Sequence, residues 1–233
     1  DKNGNEIQGD ATIIVDKPEM AFHFDNIDLH PTPSLLRSFS APVQLEFAYN
    51  KEQLLLLMQH DSNLYNRCEA ANKLMTQMVS DYCAGISLVF TPELFNAYRK
   101  LISEAHSSLN YWVFAELISI PTEETLFSNL QNQEFGKITE ARQLIQRQIA
   151  KKLKEDIVLM QKSLDKIPAS NKSPFQTFDI ISAGARRLQH VCHSYLLLIQ
   201  PEKTESALVE QFNNSLGKNM TDCISALSLL LNN

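Results

Sequence analysis

Glycine and long apolar runs are both scarce in this 233-residue chain. Glycine occurs only six times, and never in the G-x-G-x-x-G or P-loop spacing that cradles a phosphate group. No apolar run exceeds five residues, as in Leu54–Met58, whereas a membrane-crossing helix needs about 20. The four cysteines form no C-x-x-C pair, which favours buried thiols in a reducing compartment over a disulfide framework. We therefore expect a cytoplasmic protein without a phosphate-binding loop.

Positive charge is also in the minority. The chain has 21 Lys and Arg against 27 Asp and Glu, a net charge of −6, so we expect neither nucleic acid nor membrane as a partner. One basic stripe, formed by Arg147, Lys151 and Lys154, follows a helical spacing. Because Glu155 and Asp156 lie beside it and no aromatic residues accompany it, we interpret it as a solvated face rather than an anionic-ligand patch.

Residues 1–49 have the pattern of β structure. Asn3-Gly4 is a hairpin-type turn signal, Ile13–Val15 is a β-branched run, and apolar residues alternate with polar ones around Met20–Phe24 and from Val43 to Tyr49. Two or three strands cannot form a stable sheet alone. This part of the chain therefore reads as an incomplete domain, cut at its N-terminus.

Residues 50–233 change to a helical period. Asn50 and Gln53 fit a capping box, and Thr91-Pro92 is a strong helix start; Pro121 is expected to open a short helix in the same way. The longest predicted helix runs from about Ile138 to Leu164. Further helices are predicted near 177–199, 204–214 and 220–231, and residues 167–174 as a loop.

About nine helices with short connections predict a mainly α fold, an antiparallel helix-hairpin superhelical array resembling an α-solenoid. No fixed sequence repeat accompanies it. The chain ends within an apolar helix, which would leave a hydrophobic face uncovered. The C-terminus therefore also looks cut.

Catalytic and metal-binding constellations are not recognisable in the sequence. His190 and His193 are three residues apart, without the i,i+4 spacing and intervening glutamate of a helical zinc pair, and we expect both on the solvent side of their helix. Hydroxyl residues such as Thr12 and Ser34 have no recognisable His and Asp partners. Thr221 and Asp222 are interpreted as a helix start, and the cysteines as buried structural thiols. We therefore assign no catalytic, cofactor-binding or metal-binding residue.

Five segments resemble bacterial-type aminopeptidase N, a family of zinc metallo-aminopeptidases of the gluzincin type. The most telling are "PTPSLLRSFSAPVQLEF" at 31–47 and the N-M-T-D-x-x-x-A-L pattern at 219–230. Further similarity lies at 19–27, 56–74 and 185–196. Cys68 departs from the family, in which a large aromatic residue is expected at that position. The segments follow the family's order across nearly the whole chain.

The resemblance implies a parent enzyme that uses zinc to remove N-terminal residues from peptides, preferring basic and small apolar residues. It implies that residues 1–49 are the last strands of an Ig-like β-sandwich and residues 50–233 the first part of a C-terminal helical domain that encloses and gates the active-site chamber. The family's H-E-x-x-H motif has no counterpart in this sequence. Zinc is thus expected in the parent and none in this piece, which would be inactive alone.

The partners that the resemblance implies are the remaining domains of the same polypeptide and, through the parent, peptide substrates. A rival hypothesis is a free-standing α-solenoid scaffold whose concave face binds a protein partner. Under the aminopeptidase hypothesis, the proline segment (residues 31–47) is a stiff junction between two domains. Pro31, Pro33 and Pro42 restrict its geometry, and Arg37 is expected to pair across the seam while Leu35, Leu36 and Phe39 pack into it.

Overall fold

The computed structural model describes residues 12–24, 30–130, 132–167 and 179–231, so the predicted turn at Asn3-Gly4 and all but the first residue of the loop predicted over 167–174 lie outside the described part. Those described residues form ten α-helices and one short 3-10 turn at Arg37–Phe39. The helices are α1 (Lys51–His60), α2 (Leu64–Cys83), α3 (Pro92–Ser107), α4 (Tyr111–Ile118), α5 (Glu123–Asn129), α6 (Phe135–Lys152), α7 (Lys154–Leu164), α8 (Ile180–Leu197), α9 (Pro201–Ser215) and α10 (Met220–Leu231). The mainly α prediction is confirmed.

Local capping determines where several helices begin. The Asn50 side chain accepts a hydrogen bond from the Gln53 backbone at 2.8 Å, and the Gln53 side chain accepts one from the Asn50 backbone at 3.0 Å, so α1 has the predicted capping box. The hydroxyl of Thr91 accepts from the backbone N–H of Leu94 at 3.3 Å and starts α3. These starts follow from sequence because the capping groups lie within one turn of the backbone they satisfy.

The prediction that Pro121 is the first residue of α5 is wrong, because the helix begins two residues later. Thr122 is the N-cap, its hydroxyl accepts from the Thr125 backbone at 3.2 Å, and the helix begins at Glu123. Pro121 lies outside the helix, where its carbonyl accepts a hydrogen bond from Arg142 at 2.9 Å. The hydroxyl of Thr122, directly after the proline, therefore caps the helix.

The predicted single helix from Ile138 to Leu164 is also wrong, because it breaks at Leu153, whose φ is −111° and ψ is 18°. Neither proline nor glycine lies at the break, so tertiary packing causes it. Before the break, α6 contacts α2 and α5; after it, α7 contacts α3. Leu153 itself has no exposed surface, which places the kink inside the core.

The core follows the predicted helical stripes. All six residues predicted for one face of α3 are buried, as are all five predicted at four-residue steps along α6 and α7. These are Leu94, Phe95, Tyr98, Leu101, Ile102 and Ala105, then Ala141, Ile145, Ile149, Leu153 and Ile157. Helix α8 contacts α4, α6, α7, α9 and α10, so the array includes contacts beyond those between sequential neighbours.

The predicted strands do not form in the part of residues 1–49 that the structure describes. Residues 12–24 and 43–49 have no strand assignment there, and Val15, Val43 and Phe47 remain 70%, 56% and 42% exposed. A period-two pattern becomes a strand only when a neighbouring chain segment supplies hydrogen-bond partners.

No helix among the described residues combines the length and apolar character needed to cross a membrane.

Candidate functional site

The proline segment is fixed to the loop between α1 and α2 by a buried carboxylate. The Asp61 side chain has no exposed surface and lies 3.1 Å from the Arg37 guanidinium, measured from Oδ1 to Nη1. Its other oxygen accepts a hydrogen bond from the hydroxyl of Ser34 at 2.5 Å. The Asn63 backbone also donates to Asp61 Oδ1 at 2.8 Å. The predicted pairing of Arg37 is therefore observed, and its partner is Asp61.

Further hydrogen bonds tie the proline segment to α2 and to Tyr49, two residues beyond the segment. The Asn66 amide donates to the Leu35 carbonyl at 2.8 Å and to Ser34 Oγ at 3.0 Å. The Tyr49 hydroxyl donates to the Pro33 carbonyl at 2.9 Å, and burial raises the pKa of Tyr49 to about 12. A phenol that stays protonated keeps this contact at every physiological pH.

The backbone within the proline segment is strained where it turns. Leu36, Ser38 and Phe39 have φ values of 50°, 55° and 55°, a left-handed conformation that costs a non-glycine residue roughly 1–2 kcal/mol. Leu35 and Leu36 are half-buried. Phe39 is 55% exposed instead of packed into the seam, and its ring lies 5.9 Å from that of Tyr65.

A second feature, the polar cleft, lies between α7, α8 and α9 and reaches the first turn of α10. Its volume is about 640 Å³. Three acidic and three basic side chains line it, so its charges balance: Asp165, Glu210 and Asp222 against Lys162, Arg186 and Lys203. Five carboxamide side chains also line it: Gln161, Gln189, Gln200, Gln211 and Asn214.

His193 forms part of the cleft wall, and the prediction that it faces solvent is wrong. Only 6% of its surface is exposed, because α8 is covered on several sides rather than on one stripe. Burial lowers the pKa of His193 to about 4, with Asp165 opposing the shift and His190 adding to it. The imidazole is therefore neutral at physiological pH, with one donor and one acceptor nitrogen.

His190 is half-buried, and its Nδ1 lies 2.9 Å from the Ser225 hydroxyl of α10. Its pKa is lowered first by burial and then by the charge of Arg187. His190 is therefore engaged in packing between helices, and the solvent-side prediction fails for this residue too.

Hydrogen bonds hold the cleft's charged side chains in place. Asp165 Oδ1 accepts from the amides of Gln161 at 2.9 Å and Gln189 at 3.0 Å, which joins α7 to α8. On the opposite side Arg186 Nε lies 3.7 Å from Asp222 Oδ1. Burial raises the pKa of Asp222, and Arg186 opposes the shift.

The described side chains do not fit a zinc ion. No group of three or more His, Cys, Asp or Glu residues is positioned to hold a metal within the described ranges. His193 is 6% exposed and lines the polar cleft, and His190 is engaged with Ser225. We therefore derive no chemical step through zinc from this chain.

The basic stripe and the hydroxyl candidates lie as follows among the described residues. Arg147, Lys151 and Lys154 are exposed, as expected of a solvated face. Thr12 is exposed, and Ser34 belongs to the Asp61 network.

The predicted helix start near Thr221 and Asp222 is confirmed, but its cap comes from elsewhere. Asn219, one residue before α10, accepts from the Asp222 backbone at 3.3 Å. Asp222 lies in the first turn of that helix.

All four cysteines are free thiols, of which Cys83 and Cys192 are buried and Cys68 and Cys223 half-buried. Burial raises the pKa of Cys68 to about 11 and that of Cys192 to about 12. Both thiols are thus protonated and unreactive near neutral pH, in agreement with the structural role predicted for them.

The polar cleft was not predicted, because its residues come from four different helices, which follow one another along the chain. No spacing rule links Gln161 with Gln189 or Gln211. The one available signal is the number of glutamines between 161 and 211, and only the packing of α7 against α8 and α8 against α9 brings them together.

Comparison with known proteins gives a consistent assignment. Residues 51–233 match a family described as a domain of unknown function with ARM repeats (DUF3458_C), and residues 1–48 match one described as a domain of unknown function with an Ig-like fold (DUF3458). Among curated proteins, aminopeptidase N of Escherichia coli is 25% identical over 231 residues, and that of Haemophilus influenzae 27% over 232. These alignments cover 97% and 98% of this chain but 25% of each relative.

A solved structure, Legionella pneumophila aminopeptidase A in complex with aspartic acid, is 45% identical to this chain. It superposes with a TM-score of 0.92 over 99% of this chain and 27% of its own. This chain thus spans about a quarter of the length of the relatives it matches. It belongs to the DUF3458_C family of ARM-repeat domains, in the form found in aminopeptidase N-type proteins.

Proposed function

We propose that this chain is a non-catalytic portion of a zinc-dependent aminopeptidase, and that its helices enclose and gate the chamber in which the parent removes N-terminal residues from peptides. The observation that carries the proposal is the near-complete match of the chain to aminopeptidases from several bacteria. The sequence itself has no H-E-x-x-H motif. The proposal therefore assigns zinc and the reacting groups to the rest of the parent polypeptide.

Within this proposal, the proline segment transmits the position of the helical array to the preceding domain. Its link to the α1–α2 loop consists of an ion pair to a buried carboxylate and several hydrogen bonds, from Arg37 and Ser34 to Asp61 and from Asn66 to Leu35. A flexible tether would lack such contacts. A rigid connection is what a gating domain needs if its movement is to open or close a chamber.

The test uses the parent enzyme with Arg37→Ala or Pro42→Ala, and Lys137→Ala as the control. Lys137 is exposed, and its pair with Glu134 spans 3.9 Å. We expect the first two variants to lower the melting temperature or kcat/KM for peptides, with a full complement of zinc by elemental analysis, while the control matches the wild type. Loss of zinc in the Arg37 variant would contradict the junction role.

Two simpler observations test the assignment itself. The reading frame that encodes this chain should also encode H-E-x-x-H upstream, whereas a start codon near Asp1 would favour the free-standing scaffold. The purified 233-residue chain should neither cleave peptides nor bind stoichiometric zinc. Measurable peptidase activity in that chain would overturn the proposal.

A cytoplasmic location stays a prediction from the sequence.

A further inference from the structure

The chemistry of the polar cleft differs from that of a charged or an apolar ligand site. Its three acidic and three basic side chains cancel, which gives no preference for an anion or a cation. The five carboxamides that line it each carry an N–H donor and a carbonyl acceptor. These are the same two groups that every peptide unit presents.

One of these amide groups, that of Gln161, has an acceptor without a partner among the described residues. The Gln161 and Gln189 amides use their nitrogens to hold Asp165. Within the described part of the chain, the Gln161 oxygen accepts no hydrogen bond although it is shielded from solvent. A shielded acceptor without a donor is unfavourable, and a donor that enters the cleft would relieve it after a small rotation of the side chain.

His193 adds a neutral donor and acceptor to the same wall. Only 6% of its surface is exposed, and none of the described residues forms a hydrogen bond with its ring. Ser182 and Thr204, which also line the cleft, have their hydroxyls engaged with Asp179 and the Gln200 carbonyl. Amides and an imidazole therefore supply neutral hydrogen-bonding groups in this wall, beside the charged side chains that also line it.

We propose that the polar cleft binds the main chain of an extended peptide, through the amides of Gln161 and Gln189 and the imidazole of His193. This inference rests on the proposed function, which supplies peptides as ligands. Recognition through amide groups is independent of side chains, so the cleft would accept peptides of varied sequence. An extended segment of five or six residues spans about 20 Å, and a cleft of about 640 Å³ has room for a part of it.

The experiment is calorimetric titration of the 233-residue chain with the uncharged peptide acetyl-Ala-Ser-Ala-Ser-Ala-Ser-amide. The comparison peptide has the same sequence with alternate nitrogens methylated, which removes N–H donors. We expect the methylated peptide to bind at least about tenfold more weakly, the effect of losing one or two hydrogen bonds. Equal affinity for the two peptides, or no binding of either, would overturn the proposal.

Variants locate the binding. Gln161→Met with Gln189→Met keeps the side-chain length but removes the amides, and should weaken binding about tenfold. Gln143→Met, on the exposed face of α6 outside the cleft, is the matched control and should bind as the wild type does. In NMR spectra the His193 ring resonances should shift with peptide while those of the exposed His106 stay fixed. If the double variant fails to fold, the methylated peptide and the His193 signal still decide the question.

A parallel titration of the parent enzyme separates two sources of peptide. Binding by both proteins that the Gln161→Met and Gln189→Met substitutions weaken in each identifies a free peptide as the ligand of the cleft, because binding at the parent's active site does not depend on these two residues. Cleft binding by this chain alone identifies a segment of the parent polypeptide that already fills the cleft. If the parent cleaves peptides but this chain binds none, only the cleft proposal fails. If this chain binds but the parent has no peptidase activity, only the proposed function fails.

Discussion

Arg37 and Asp61 lie 3.1 Å apart, and this contact joins the proline segment to the first helical hairpin. The Asp61 side chain is completely buried, whereas that of Arg37 keeps 23% of its surface exposed. A buried carboxylate is favourable only while its hydrogen-bond partners are present. The contact therefore holds the segment in place more strongly than a surface ion pair would.

Arg37→Ala should loosen the proline segment without unfolding the helices. Because the substitution leaves Asp61 buried with fewer partners, we expect the free energy of local opening to fall by about 1–3 kcal/mol. Hydrogen exchange at the Phe39 and Asn63 amides measures it, since both donate within this region. Lys137→Ala, which breaks an exposed pair, should change local opening by less than about 0.5 kcal/mol. Equal effects of the two variants would contradict the assignment.

Gly184→Ala should destabilise the contact between α4 and α8. A Cβ atom at this position would lie 2.8 Å from the Trp112 backbone nitrogen and 3.2 Å from Tyr111 Cβ. The clash should cost about 1–3 kcal/mol in the free energy of unfolding, which outweighs the gain in helix propensity of about 1 kcal/mol. Urea denaturation gives the difference.

Gly136→Ala is the matched control for that substitution. Gly136 lies in the first turn of α6, and no atom lies within 4 Å of an added Cβ. Alanine should therefore be neutral or stabilise by up to about 1 kcal/mol. If both glycine variants lost the same stability, close approach of α4 to α8 would not be the reason.

Acid should destabilise the protein through His193. Its pKa of about 4 in the folded protein lies below the ordinary 6.5, so the unfolded chain takes up the proton first. The stabilising contribution is complete above about pH 6.5 and is lost as the pH falls towards 4, by up to about 3 kcal/mol. Denaturation at a series of pH values measures this slope.

His193→Gln should flatten that slope, whereas His106→Gln, which replaces an exposed histidine, should leave it unchanged. Part of the slope should remain in His193→Gln, because burial also lowers the pKa of His60 and His190. An unaltered slope in His193→Gln would place the titration elsewhere.

Tyr195→Phe should weaken the packing of α8 on α4. The Tyr195 hydroxyl is buried and donates to the Ile118 carbonyl at 2.5 Å, near the end of α4, where carbonyls lack helical partners. Losing this hydrogen bond should lower the free energy of unfolding by about 1–2 kcal/mol. Tyr65→Phe, at a ring that is 41% exposed, should change it by less than about 0.5 kcal/mol. Thermal denaturation compares the two variants.

The recognition of this chain and its helix content could be predicted because both depend on local sequence. The segments at 31–47 and 219–230 led to the family that the comparisons confirm. The alternating pattern in residues 12–24 and 43–49 predicted strands, but none forms in the described part of the chain. A strand needs a neighbouring segment as its hydrogen-bond partner, and the pattern does not specify that segment.

The sequence by itself determined the starts of α1 and α3 and the buried stripes. The cap at Asn50 and the stripe of α3 involve groups within one or two turns of each other, so spacing alone fixes their geometry. Tertiary structure decided the break at Leu153, the burial of His193 and the assembly of the polar cleft. Hydrophobic periodicity indicates that a helix has a buried face, but not how many neighbouring helices cover it. The several helices around α8 therefore turned a predicted surface histidine into a buried, neutral one.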